Sequence, residues 1–151
     1  MSNMTMGWTG TFSSRQKIIY NMISLIFIVI AGMLNSIMDL CGKFNETIFS
    51  KIPGMRSFME GGNSWRNKYK NGDPSQGPRF FLSTKALVFL TDMWHLCKTT
   101  MLLMLCLAVV LYTPIFSWYI DVILYWILFG TSFTIFYDYG FRLSSYWKRP
   151  W

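Results

Sequence analysis

Charge is scarce in this sequence: Asp, Glu, Lys and Arg together make up 14% of 151 residues, against about 25% in an ordinary soluble domain. The shortage is concentrated in stretches that carry no charge at all, which excludes both a disordered tail and a conventional soluble fold. Histidine occurs once, at His95. That excludes a multi-histidine metal centre, and Asp92 with His95 alone supplies too few ligands for zinc. The three cysteines, Cys41, Cys97 and Cys106, stand at spacings that suggest neither a zinc knuckle nor a disulfide framework; they read as small buried hydrophobes. The patterns G-x-x-x-x-G-K-[ST], G-x-S-x-G and H-E-x-x-H do not occur, so no phosphate-cradling, nucleophile-elbow or metalloprotease chemistry is signalled. No metal or cofactor is expected.

What the chain has instead is apolar surface, 52% of its residues, with aromatics alone at 19%. Residues 18–38 carry no formal charge. This run exceeds the ~7–15 residues of a secretory signal and matches the ~20 that cross a bilayer, so it reads as a retained span. A second apolar region begins near Thr84 and ends near Pro114, where the missing N–H stops a helix. Its charged part, 84–98, is expected to project as a helical extension while 99–116 crosses; a third span is expected over 119–137. The expected fold is therefore an all-α membrane protein of one domain with three transmembrane helices. An interfacial helix and a basic Gly/Pro loop, within a cytoplasmic segment 39–98, separate the first two.

Orientation follows from the basic residues. Eight Lys or Arg lie between Asp39 and Lys85, three in the tail (Arg142, Lys148 and Arg149), two before the first span (Arg15 and Lys17) and none in the last turn. Cytoplasmic segments retain such residues. The amino terminus is thus expected outside and the carboxyl terminus inside, in a membrane of the bacterial inner-membrane type. Trp8, Phe12, Trp118, Tyr119, Tyr137, Tyr139, Tyr146, Trp147 and Trp151 fall near the boundaries, where amphipathic rings settle.

Within the middle segment, Phe44, Ile48, Ile52, Met55 and Met59 recur at spacings of three or four, which suggests a surface helix bent at Pro53 or a helix packed on the ends of the others. Residues 61–81 hold four glycines and two prolines and read as a loop. Trp65, Arg66, Lys68, Lys70 and Arg79 make it basic and aromatic. Each cation near an anionic leaflet contributes about 1 kcal/mol, and Arg66 or Arg79 could donate to a head-group phosphate. Nucleic acid is not expected, since a loop of this length builds no RNA-binding fold.

Asp92, His95 and Lys98 fall on one side of the second helix. An Asp with a His at i+3 can orient an imidazole as base or proton relay, while the plainer reading is a polar helix end packed against the loop. Asn21, Gly32, Asn35 and Ser36 on the first span, and Gly130 and Thr134 on the third, form small or amide-bearing faces expected to pack helices together, within one chain or between copies.

The stretch SWRNKYKNGDPSQGPRFF followed by STKALVFLTDMWHLCK, within Asn63 to Lys98, is similar to a segment of small uncharacterised membrane proteins of gut bacteria and their phages. The resemblance covers about a quarter of the chain. It implies that the basic loop and the Asp92 to His95 region work as a unit, and it brings no activity with it. The leading expectation is a small non-enzymatic, homo-oligomeric membrane protein whose cytoplasmic loop engages anionic lipid head groups or an acidic protein partner. The alternatives are a holin-like pore former and a membrane-embedded enzyme acting on a phosphorylated lipid, with His95 as base, Asp92 orienting it and Arg66 or Arg79 holding phosphate.

Overall fold

The computed structural model describes residues 13–146, so Trp8, Phe12, Trp147, Lys148, Arg149 and Trp151 lie outside the described residues. The described chain is mostly helical, with no β-strand beyond two isolated bridges. Helix α1 runs Ser14–Leu40. Ser13 starts it by accepting the Gln16 N–H, and the Gln16 side chain accepts the Ser13 N–H in return. This reciprocal pair satisfies two of the donors that a helix start leaves free. A short helix α2 spans Met55–Met59, α3 spans Met93–Val110, and α4 spans Trp118–Thr134 and continues as a π-helical turn over Ile135–Phe141. Three helical stretches, Ser14–Glu46, Met93–Val110 and Trp118–Phe141, are long and apolar enough to cross a membrane. Their outer faces carry large apolar side chains such as Leu103, Val110, Val122 and Trp126, each more than half exposed.

Helix α1 lies between the other two long helices, with α3 antiparallel to it and α4 parallel. The α1–α4 approach turns on Gly32. A Cβ placed there would stand 2.6 Å from the Phe129 carbonyl oxygen and 2.9 Å from Ser132 Cβ, so only glycine lets these backbones meet. Nearby, Ser132 Oγ donates to the Val29 carbonyl at 2.7 Å. Toward the amino-terminal end, Ser24 joins all three helices: its hydroxyl donates to Ala108 O at 2.9 Å and lies 3.0 Å from the Tyr125 hydroxyl. Thr113 Oγ1 donates to Asn21 Oδ1. The turn from α3 to α4 is held by buried Asp121, which accepts the Ile115 and Phe116 N–H groups at 3.0 Å each and the Tyr112 hydroxyl at 2.7 Å.

Several expected features differ. The second helix is not continuous from residue 84 and does not span 99–116. Leu82 adopts a left-handed conformation (φ 58°), its carbonyl accepts from Lys85 and Leu87, and residues 84–91 form turns. Asp92 is extended (φ −152°, ψ 160°) and starts α3 as its N-cap. The helix then ends at Val110, four residues before Pro114. The segment 43–59 is not one amphipathic helix either: it breaks into 3-10 turns over Cys41–Glu46 and Ile48–Lys51, with left-handed Gly54 (φ 79°) ahead of α2. Its apolar stripe divides accordingly. Phe44 and Met59 are buried with Cys41, packed by Phe49, Met55, Met93 and Trp94, while Ile48 and Ile52 remain exposed.

Among the helix-packing residues, Gly32 lies against α4 and Asn21 bonds to Thr113 just beyond α3. Ser36 is buried and donates to Met33 O within its own helix, and Asn35 is half-buried. Gly130 and Thr134 face outward, with nothing near the position of a Gly130 Cβ. Residues 130 and 134 sit one turn apart on the face opposite Ser132, which takes the contact with α1.

Candidate functional site

The loop builds its own frame. Tyr69 and Pro78 form an antiparallel bridge, flanked by bonds from Lys70 N to Gly77 O at 3.1 Å and from Arg79 N to Lys68 O at 2.9 Å. Ser83, fully buried, also donates to Lys68 O at 2.8 Å. The hairpin closes through left-handed Asn71 (φ 50°), Gly72 (φ 75°) and Gly77 (φ 79°). Between them Asp73 caps a turn over Pro74–Gln76, accepting from Ser75 N at 2.9 Å and from the Gln76 side chain at 3.3 Å. The Ser75 N–H, above all, holds the Asp73 carboxyl below the usual carboxylate range, because the charged form accepts these bonds.

This pairing of Lys68 with Arg79 brings the two arginines of the loop together. Arg66 and Arg79 line one pocket of about 410 Å³ with Ser57, Asn67, Tyr69, Asn71 and Gly72. Both arginines are exposed. Asn67 is anchored through its amide N–H to Ser57 O at 2.8 Å, and the Arg66 guanidinium lies 5.1 Å from the Trp65 ring centroid. Trp65, Lys68 and Lys70 do not line the pocket. The backbone of Lys68 forms the frame instead, and its side chain and that of Lys70 add positive charge around it.

Asp92 and His95 meet at a different place. Asp92 is 1% exposed. One of its oxygens accepts the His95 N–H at 2.9 Å, and the other lies 2.7 Å from His95 Nδ1 and 3.4 Å from Thr91 Oγ1. A carboxylate divided in this way caps the helix and fixes the ring of the residue that follows it by three. Lys98 does not join the pair: its ammonium lies 4.6 Å from the Trp94 ring centroid. Asp92 and His95 line a pocket of about 420 Å³ with Met38, Cys41, Gly42, Gly61, Gly62, Ser64 and Trp94. The loop therefore contributes glycines and a serine to this pocket, whereas Arg66 and Arg79 line the other. Among the described residues, no three of His, Cys, Asp and Glu converge as metal ligands.

Sequence reasoning missed Asp121 as the organiser of the turn; Ser24 lies on the face of the first span expected to contact the other helices, and it forms the three-helix junction. Asn67 and Tyr69 were missed as pocket walls, and no spacing in the chain announces them. Comparison with protein-family models, with curated proteins and with solved structures finds no match for this chain.

Proposed function

We propose that this is a small integral membrane protein whose loop holds the phosphate of an anionic lipid head group between Arg66 and Arg79. The observation that carries the reading is the hairpin pairing across Lys68 and Arg79, which turns two arginines thirteen positions apart into walls of one pocket. Paired guanidinium groups suit phosphate because their planar donor forks match its oxygens. Asn67 and Asn71 offer amide groups beside them, and Lys68 and Lys70 strengthen the general attraction to an anionic leaflet by about 1 kcal/mol each. In this reading the loop and the tail face the cytoplasm and the amino terminus lies outside, as the distribution of basic residues favours.

Native mass spectrometry of the chain released from mild detergent tests the proposal. The wild type is expected to retain anionic phospholipid in preference to zwitterionic phospholipid. Arg66→Ala/Arg79→Ala is expected to weaken that retention roughly tenfold or more, since each lost charge-assisted bond contributes about 1.5–3 kcal/mol. Equal retention in the two proteins would leave the loop a topology signal and nothing more.

A further inference from the structure

The pocket that contains His95 has a buried carboxylate and an imidazole where the other has two arginines, and the head-group reading makes no use of it. Its acid is buried and its imidazole is not: the Asp92 side chain is 2% exposed and that of His95 40%. Asp92 occupies Nδ1, which leaves Nε2 as the nitrogen that can take or give a proton at a bound molecule. Trp94 lies edge-on to the imidazole with ring centroids 5.1 Å apart, so the ring is held from two directions. The remaining walls are apolar side chains (Met38, Cys41 and Trp94), glycine backbone (Gly42, Gly61 and Gly62) and the Ser64 hydroxyl, with no Lys or Arg among them.

From this we propose that Asp92 and His95 form a general-base site that hydrolyses a carboxylic ester of a membrane lipid. Three features select this substrate class. The lining offers no Lys or Arg to hold a phosphate and carries the Asp92 carboxylate, so it suits a neutral group. Met38 and Cys41 stand at the end of α1, and Trp94 and His95 stand at the start of α3. The pocket therefore sits beside the end of α1 and the start of α3, a position that fits the interfacial layer in which the acyl esters of lipids lie. Gly42, Gly61 and Gly62 let backbone rather than side chains approach the reacting group.

In the reaction, His95 Nε2 accepts a proton from water as the water oxygen adds to the ester carbonyl carbon. The imidazolium then returns that proton to the alkoxide oxygen as its bond to carbon breaks, which yields one carboxylic acid and one alcohol and restores the neutral ring. Water is the only co-reactant. His95 is the catalytic residue; Asp92 is a positioning residue that fixes the ring by its Nδ1.

The test uses the untagged full chain in detergent micelles, with p-nitrophenyl decanoate dissolved in the micelle as probe. Because His95 is the only histidine of the sequence, no other imidazole can supply the reaction. Saturable, multiple-turnover release of p-nitrophenol is expected from the wild type. His95→Gln is expected to lower kcat by about a hundredfold, within the range that a positioned base contributes. Asp92→Asn, which can still cap α3, is expected to lower kcat at least tenfold while unfolding at an unchanged temperature. A purely structural cap, which Asn still provides, predicts unaltered kcat. The proposal is overturned if wild type releases product no faster than empty micelles, or if His95→Gln matches wild type. Because the arginines line another pocket, failure here would leave the head-group proposal standing.

Discussion

At the scale of single residues, the bundle depends on contacts too close for substitution rather than on strong bonds. Gly32 and Ser24 on α1 make the contrast measurable. At Gly32 an added methyl meets the backbone oxygen of Phe129 and Ser132 Cβ, neither of which is the far end of a flexible chain, so α4 must move. Overpacking of that kind costs about 1–3 kcal/mol. Ser24→Ala removes a hydroxyl that reaches both α3 and α4, but interhelical hydrogen bonds in membranes average only about 0.6 kcal/mol. Gly32→Ala is therefore expected to destabilise more than Ser24→Ala, and unfolding equilibria in bicelles would order the two; the reverse order would mean that α1 and α4 pack less closely than described. Gly32 was legible in the sequence as part of a small-x-x-x-small pair with Ser36. Its partner was not: the face expected on the third span held Gly130 and Thr134, and only the rotation of α4 about its axis selects Ser132.

At the scale of elements, the three apolar helices were legible because an uncharged run of ~20 residues has few other uses. Their starts were less so. Asp92 and His95 look in sequence like part of a polar helical stripe, yet the same spacing is that of a cap, and Asp92 in an extended conformation stops the helix from reaching back to Thr84. The loop was recognisable by its glycines and prolines, but the convergence of Arg66 with Arg79 depends on a backbone pairing across eleven residues, which no local pattern encodes. That hairpin makes its own prediction. The Asp73 carboxyl is held below its ordinary range chiefly by the Ser75 N–H, so the native value is lower than the unfolded one. Such a carboxylate contributes stability above the unfolded pKa and loses it only as pH falls through the native pKa. A carbon-13 titration of the Asp73 carboxyl is accordingly expected to show a midpoint below the ~3.9 of a free aspartate. A midpoint at that value would mean that the turn over Pro74–Gln76 does not hold in solution.

At the scale of the whole molecule, the fold and the charge distribution bear on the same question from different sides. Glu46 accepts the Leu143 N–H through its carbonyl at 2.8 Å and pairs with Arg142 at 3.2 Å. Lys43 donates to the Tyr137 hydroxyl at 2.7 Å, and the Phe49 and Phe141 rings stack at 5.5 Å. The middle segment and the end of α4 are thus bonded together at one end of the bundle, while Asn21 and Thr113 meet at the other. Nine of the basic residues, eight within 39–92 and Arg142, belong to the first group of segments and two to the amino-terminal flank. A geometry that puts 39–92 and 142–146 on one side agrees with the positive-inside rule only if that side is cytoplasmic. Single cysteines at Gly62, Ser144 and Ser117, in a chain whose native cysteines are replaced by alanine, would test this with a membrane-impermeant thiol reagent on intact cells. Labelling is expected at Ser117→Cys alone, with Gly62→Cys and Ser144→Cys labelled only after the cells are opened. The mirror-image pattern would keep the fold and reverse the orientation, placing both pockets outside. Opposite labelling of Gly62→Cys and Ser144→Cys would be more damaging, because the bonds between Glu46 and the tail cannot form across a bilayer.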